Sequence, residues 1–232
     1  MEGSDILAFR DSVVVSILDV FGISYFSIFI LQCLFFDFPV AQSDIIDLLA
    51  TLLFGIGVIS WCLLSLAHRI LVLFGSNGAP NWEKLEFLGV LLLIYTTTIS
   101  YVAIEFSPYP VVQLGYSCAI SLFFVTHVVE LCLISSNEPT IWLQFQYHCT
   151  CLGSLAMIPI LHAITGSLGE PTQLAKEFTR LAVYNGIGAL QYLAQPWERI
   201  GLFHGWHPSL YIMHLILIFN AVIASTKLIP VR

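Results

Sequence analysis

Residues 46–68 read IDLLATLLFGIGVISWCLLSLAH, and this stretch decides the class of protein. Between Asp47 and His68 it holds twenty consecutive residues without a charged side chain, and most of them are apolar. A helix rises about 1.5 Å per residue, so this length matches the roughly 30 Å hydrocarbon core of a bilayer. The stretch therefore predicts a membrane-spanning helix.

The whole chain shares this apolar character. Of its 232 residues, 58% are hydrophobic and only 10% are charged, and the mean hydropathy is +0.88. A soluble domain carries about 25% charged residues, so this composition excludes a soluble enzyme and a disordered protein. The net charge of −7 argues against a surface that binds nucleic acid. An integral membrane protein is left.

Seven apolar runs are long enough to cross a membrane. The predicted spans are roughly 12–36, 46–68, 85–106, 110–134, 141–164, 177–195 and 209–229. The sixth is the least apolar, because it is rich in glycine and polar residues. The sequence predicts an all-α, polytopic bundle of seven transmembrane helices, formed by one domain over residues 12–229 after a short N-terminal tail, residues 1–11. Lysines and arginines divide equally between the two sides, so charge does not set the orientation.

The polar residues of the spans gather on one side of the membrane. Successive spans alternate in direction, which places one set of ionisable residues in the half nearer the N-terminal side: His68, Glu86, His127, Glu130, His148 and His214. Ionisable groups inside a bilayer cost a few kcal/mol each and normally face the bundle interior. We expect a polar pocket at this face, although single side chains of this kind can also snorkel to the headgroups.

Five short strings occur in order on the predicted helices. They are SLAHR at 65–69, KLEFLG at 84–89, PILH at 159–162, PWER at 196–199 and SLYIMH at 209–214. Together they resemble the progestin and adipoQ receptor family, which includes the adiponectin receptors and the haemolysin-III-like proteins. The similarity covers roughly residues 55–220. It implies a seven-helix fold with the N-terminus on the cytoplasmic side.

The resemblance also implies a zinc site. The three zinc-binding histidines of the family fall at His68, Leu210 and His214, and its acidic residue falls at Glu86. The family serine falls at Leu64, one position before Ser65. Three imidazoles and a water hold Zn²⁺ tetrahedrally and acidify the water, and a nearby carboxylate can serve as the catalytic general base. Leucine cannot ligate a metal, so only His68 and His214 remain as family ligands.

Several residues are open as substitutes for the missing ligand, and four others have a structural interpretation. The possible substitute ligands are His207, His148, Cys149, Glu130 and Glu86 itself. Pro159 and His162 are interpreted as a helix kink with a local hydrogen bond. Glu198 and Arg199 are interpreted as a solvated pair at a helix end.

Three functions stay open at this point. The first is a receptor-like membrane protein in lipid or metal homeostasis, which holds a membrane lipid or a sterol-like apolar ligand and retains a partly degraded zinc site. The second is an active zinc hydrolase that cleaves a lipid amide such as ceramide, with Glu86 handling protons. The third is a transporter or channel, which would need a continuous polar path, and the opposite half lacks one because His162 stands nearly alone there.

Overall fold

The computed structural model describes residues 3–37, 44–73, 79–133, 141–165, 173–201 and 206–228, and every regular element in these ranges is helical. The helices are α1 (Gly3–Gln32), which continues into a π-helical turn over Cys33–Asp37, α2 (Asp44–Leu73), α3 (Ala79–Glu105), α4 (Pro110–Leu133), α5 (Ile141–Thr165), α6 (Gln173–Ala194), α7 (Pro196–Ile200) and α8 (Pro208–Leu228). The all-α prediction is confirmed.

Six of these helices are long and apolar enough to cross a membrane. Their candidate spans are Arg10–Phe35, Ile45–Leu71, Lys84–Glu105, Pro110–Leu133, Leu143–Thr165 and Pro208–Lys227. The protein is therefore a multi-pass integral membrane protein. Helix α6 has the length of a span, but Lys176, Glu177 and Arg180 lie in its first half. A seventh crossing at α6 stays a prediction.

Two predicted segments differ from the observed helices. The predicted tail, residues 1–11, is helical from Gly3 onward, because nothing between Gly3 and Asp11 breaks a helix and Asp11 is buried against the bundle. The predicted loop at 196–208 contains the short helix α7. Gln195 adopts a left-handed conformation with φ of 46°, which ends α6, and Pro196 begins α7, where proline needs no hydrogen-bond donor.

Helices α1, α2, α3 and α8 form the centre of the bundle. Helix α2 packs along α1 and α3, and α6 packs along α8. Edge-to-face aromatic contacts join α1, α2 and α6, with ring centroids 5.9 Å apart for Phe26 and Phe54 and 5.7 Å apart for Phe54 and Phe178. Helix α4 has the smallest buried share of the six candidate spans, as a lipid-facing helix does.

The closest approach of α2 and α3 depends on Gly57. A Cβ atom at this position would lie 1.9 Å from Oγ1 and 2.7 Å from Cβ of Thr96. Small residues allow membrane helices to approach closely, where van der Waals contacts and weak polar contacts accumulate. Gly57 therefore sets the spacing of the two helices that carry His68 and Glu86.

We expect Gly57→Ala to lower the thermal unfolding midpoint of the detergent-purified protein, since overpacking of this kind costs about 1–3 kcal/mol. The matched control is Gly153→Ala on α5, where an added Cβ meets no atom within 4 Å. The control should be neutral or slightly stabilising, because alanine favours helix. Equal midpoints for the two variants would contradict the close-contact interpretation.

Candidate functional site

A group of polar side chains is buried at the centre of the bundle, between α1, α2, α3 and α8. We define this central polar cluster as Asp19, Ser65, His68, Arg69, Glu86 and His214. Asp19, Ser65 and His214 are fully buried, and the side chains of His68, Arg69 and Glu86 are no more than 14% exposed. The cluster lies in the half of the bundle nearer the N-terminus of α1, as the alternation of the spans predicts.

Glu86 is shared between two neighbours on α2. Arg69 donates from Nη2 to Glu86 Oε1 at 2.7 Å, and Nε2 of His68 lies 3.5 Å from Oε2 of the same carboxylate. A buried carboxylate is costly unless it is paired and hydrogen-bonded. The guanidinium supplies that pairing, so α2 and α3 are joined by an ion pair as well as by packing.

His214 is held in a defined orientation from α8. Its Nδ1–H donates to the backbone carbonyl of Leu210 at 3.1 Å, because a carbonyl can only accept. Its Nε2 is then the acceptor, and the hydroxyl of Ser65 donates to it at 3.3 Å. The ring stacks on Trp61 with centroids 5.2 Å apart. Asp19 approaches the same ring from α1, with Oδ1 3.9 Å from Nε2.

The structure brings the residues of the family resemblance into one cluster. His68 and Glu86 are in contact, and His214 joins them through Ser65, which is the neighbour of the family serine position. Leu210 is buried and offers only its backbone carbonyl. Asp19 joins the cluster from α1 although it belongs to none of the five strings. Its signal in the sequence was a lone carboxylate in the apolar run 12–36.

Four of the possible substitute ligands lie outside the central polar cluster: His207, Cys149, His148 and Glu130. Nε2 of His207 lies 3.8 Å from Oδ2 of Asp11, where the starts of α1 and α8 meet, and its side chain is 64% exposed. Cys149 packs against a second apolar cluster around Phe87 and Phe145. His148 makes its polar contacts with α4.

A second polar group joins α4 to α5. We define it as the His–Glu–His triad: His127, Glu130 and His148. The Nδ1 atoms of the two histidines are 3.0 Å apart, and Oε2 of Glu130 is 3.5 Å from each of them. Both histidines are buried and Glu130 is half exposed. Within the described ranges, this is the set of three metal-ligating side chains whose donor atoms all lie within 4.8 Å of one another.

The triad adjoins a wide groove between α4 and α5. The groove has a volume of about 870 Å³ and is lined mainly by apolar atoms, with Leu133, Leu143 and Tyr147 in its walls and Glu130 and His148 at the triad. The sequence made His148 and Glu130 candidate substitute ligands. For His127 it predicted only a position in the same half of the membrane. Its spacing of three residues from Glu130 was the available signal, since such residues are neighbours on a helix.

Pro159 and His162 lie toward the opposite end of α5. Pro159 lies inside the helix. Nδ1 of His162 and the hydroxyl of Tyr116 on α4 are 2.8 Å apart, and the imidazole packs against Phe106. This half also holds buried acids that the sequence analysis did not count, Glu105 and Glu177. His162 is therefore less isolated than predicted.

Glu198 on α7 caps the start of α8. Its carboxylate accepts from the backbone N–H of Ser209 at 3.0 Å and from the Ser209 hydroxyl. The first N–H groups of a helix lack partners within the helix, and a carboxylate there is favourable. Partial burial by itself raises the pKa of Glu198, but the hydrogen bonds from Ser209 and its own backbone outweigh it and lower the pKa below 4.5. Glu198 thus helps to position the helix that carries His214.

No protein-family model matches this sequence, and no curated protein matches it either. The arrangement of the two polar groups is therefore the basis for an argument about function.

We expect Arg69→Met to destabilise the protein by about 3 kcal/mol, because it leaves the Glu86 carboxylate buried without its cation. Glu86→Gln alone leaves the guanidinium unpaired. The double variant should lose less than the sum of the single losses, and unfolding in detergent micelles measures this coupling. Strictly additive losses would contradict the ion pair.

We expect the stability supplied by Glu198 to depend on pH. The folded pKa lies below the ordinary value of 4.5, so this stability is present above about pH 4.5 and is lost as the pH falls through the folded pKa. The thermal midpoint of the natural chain should exceed that of Glu198→Gln at neutral pH, and the difference should close in acid. A difference that persists unchanged in acid would show that charge is not involved.

Proposed function

We propose that this chain is a receptor-like seven-helix membrane protein of the progestin and adipoQ receptor and haemolysin-III type, which acts in lipid or metal homeostasis. Its ligand is an apolar membrane lipid or a sterol-like molecule. Its central polar cluster is a partly degraded zinc site. Under this proposal α6 crosses the membrane and the N-terminus is cytoplasmic.

The observation that carries the proposal is the meeting of distant strings in one buried cluster. Ser65 and His68 come from α2, Glu86 from α3 and His214 from α8, and contacts of 3.3 and 3.5 Å join them in pairs. The fourth string contributes as well, because Glu198 caps α8 at Ser209. Each of the five strings is weak evidence alone. Four of them contribute residues that contact another string in the fold, and these contacts support their interpretation as parts of one family pattern.

The contacts inside the cluster favour a receptor over a hydrolase. A zinc hydrolase needs three protein ligands and an open position, whereas this cluster has two imidazoles and Leu210 at the third family position. Glu86, which would act as the base, is held by the Arg69 guanidinium at 2.7 Å. The guanidinium already occupies Oε1 of this carboxylate, so the hydrolase is the second candidate.

An apolar ligand suits the lipid-facing groove between α4 and α5. Its walls are lined mainly by apolar atoms, and it lies within predicted membrane-spanning segments. Acyl chains are the molecules that surround such a groove in a bilayer. The groove is therefore the best-placed surface for a lipid on the described part of the chain.

We expect Leu210→His to restore a zinc site in the central polar cluster. Residues 210 and 214 share one helix face, so the new imidazole would lie beside His214 and near His68. The zinc content of the detergent-purified protein, measured by elemental mass spectrometry, should rise by about one ion per chain over the natural chain.

Two controls make this result specific. Leu210→Gln places a polar side chain of similar size at the same position and should add no zinc, and His214→Ala combined with Leu210→His should remove the gain. The natural chain should release no fatty acid from ceramide under conditions in which a three-histidine relative does. Release that is lost in His214→Ala would instead establish the hydrolase.

A further inference from the structure

We propose that His127, Glu130 and His148 bind one divalent transition-metal ion, Zn²⁺ by preference, between the end of α4 and the start of α5. This site is separate from the central polar cluster and does not rest on the proposed family. It is carried by the geometry of the triad, by its charge and by its position at the groove.

The donor atoms already have the spacing of a metal site. Zinc binds imidazole nitrogen at about 2.0–2.1 Å and carboxylate oxygen at about 2.0–2.2 Å. Tetrahedral bonds of these lengths place neighbouring donors about 3.4 Å apart. The observed separations are 3.0 Å between the two Nδ1 atoms and 3.5 Å from each to Glu130 Oε2. An ion therefore fits between the three atoms with shifts of a few tenths of an ångström.

The orientation of the rings also suits ligation. Both imidazoles turn Nδ1 toward the triad, and their planes are inclined by 57° rather than stacked. The other ring nitrogen of His127, Nε2, is buried and has no hydrogen-bond partner in the part of the chain that the structure describes. At 3.0 Å one Nδ1 donates a hydrogen bond to the other, so ligation by both rings requires that proton to move to Nε2. Both Nδ1 lone pairs are then directed at the ion.

The triad carries a negative charge that a bound cation would balance. Two neutral imidazoles and one carboxylate carry a net charge of −1. The close contacts of the Glu130 carboxylate with described basic side chains are both with these histidines, whereas Glu86 in the central polar cluster is neutralised by Arg69. Two nitrogens and one oxygen form a donor set that suits Zn²⁺ and also Fe²⁺, and zinc binds such sites more tightly.

Three protein ligands leave one tetrahedral position free. Glu130 and His148 line the groove between α4 and α5, so the free position is accessible to an oxygen ligand from that side. Water or an oxygen of a lipid headgroup would complete the coordination. An anionic oxygen would also cancel the remaining positive charge of the site, which matters in a low-dielectric setting.

Zinc binding to the full-length protein in detergent micelles tests the site. The protein is equilibrated with Zn²⁺ alone, freed of excess metal by gel filtration, and measured by elemental mass spectrometry and by competition with a chelator. We expect about one zinc per natural chain. Because removal even of outer-shell partners costs 10–100-fold in affinity, we expect Glu130→Gln and His148→Ala to weaken binding at least tenfold. Fe²⁺ should bind more weakly than Zn²⁺ in the same competition.

The matched control is His162→Ala, which removes a histidine from the same helix at the opposite end and should retain the zinc. Glu130 is half exposed, so Glu130→Gln should keep its fold. Zn²⁺ should raise the thermal midpoint of the natural chain and of His162→Ala but not that of Glu130→Gln.

Two results would overturn the site. One is a natural chain that binds no more zinc than Glu130→Gln. The other is zinc that is lost in His214→Ala and kept in Glu130→Gln, which would assign the metal to the central polar cluster. If Leu210→His gained no zinc, by contrast, the proposed zinc site of the central polar cluster would fail and the proposal for the triad would stand.

Discussion

The hydrocarbon of the bilayer offers no hydrogen-bond partner, and this constraint governs where every polar side chain of the bundle lies. A charged group at the centre of a membrane costs several kcal/mol unless other protein groups replace its water. The bond between Arg69 and Glu86 is the clearest response to that constraint, since it places both ions at 2.7 Å and joins α2 to α3. Gly57 allows these two helices to come close enough for the side chains to meet.

The two polar groups answer the same constraint in different ways. In the central polar cluster, Glu86 is neutralised by Arg69, and the imidazole of His214 is held by Ser65 and a backbone carbonyl. The second acid of the cluster, Asp19, lies 3.9 Å from the same imidazole. In the His–Glu–His triad, the acid faces two imidazoles and no described cation. Glu86 therefore has its charge balanced by a neighbouring arginine, whereas Glu130 has no such partner among the described residues. This difference is the reason for proposing a metal ion at the triad.

Much of the fold was predictable because it depends on local properties. Long uncharged runs predict helices that cross a bilayer, and each predicted span falls on one long helix. The sixth run illustrates the limit, because α6 has the length of a span without its composition. The ends of the helices were also less predictable. Gly3–Asp11 is part of α1 because Asp11 is buried in the bundle, and that burial depends on contacts with α8, made by Tyr211 and His207.

The sequence by itself determined the class of protein, predicted that the histidines of the spans gather toward one side, and placed at position 210 a leucine, which cannot ligate a metal. These follow from composition, alternation of direction and residue identity, which need no partner across the fold. Only the tertiary structure decided the pairings. It joined Glu86 to Arg69, brought Asp19 to His214, and grouped His148 and Glu130 with His127 rather than with the central polar cluster. The reason is physical: a side chain's partner depends on how neighbouring helices are rotated and spaced, and that information lies in packing between distant segments.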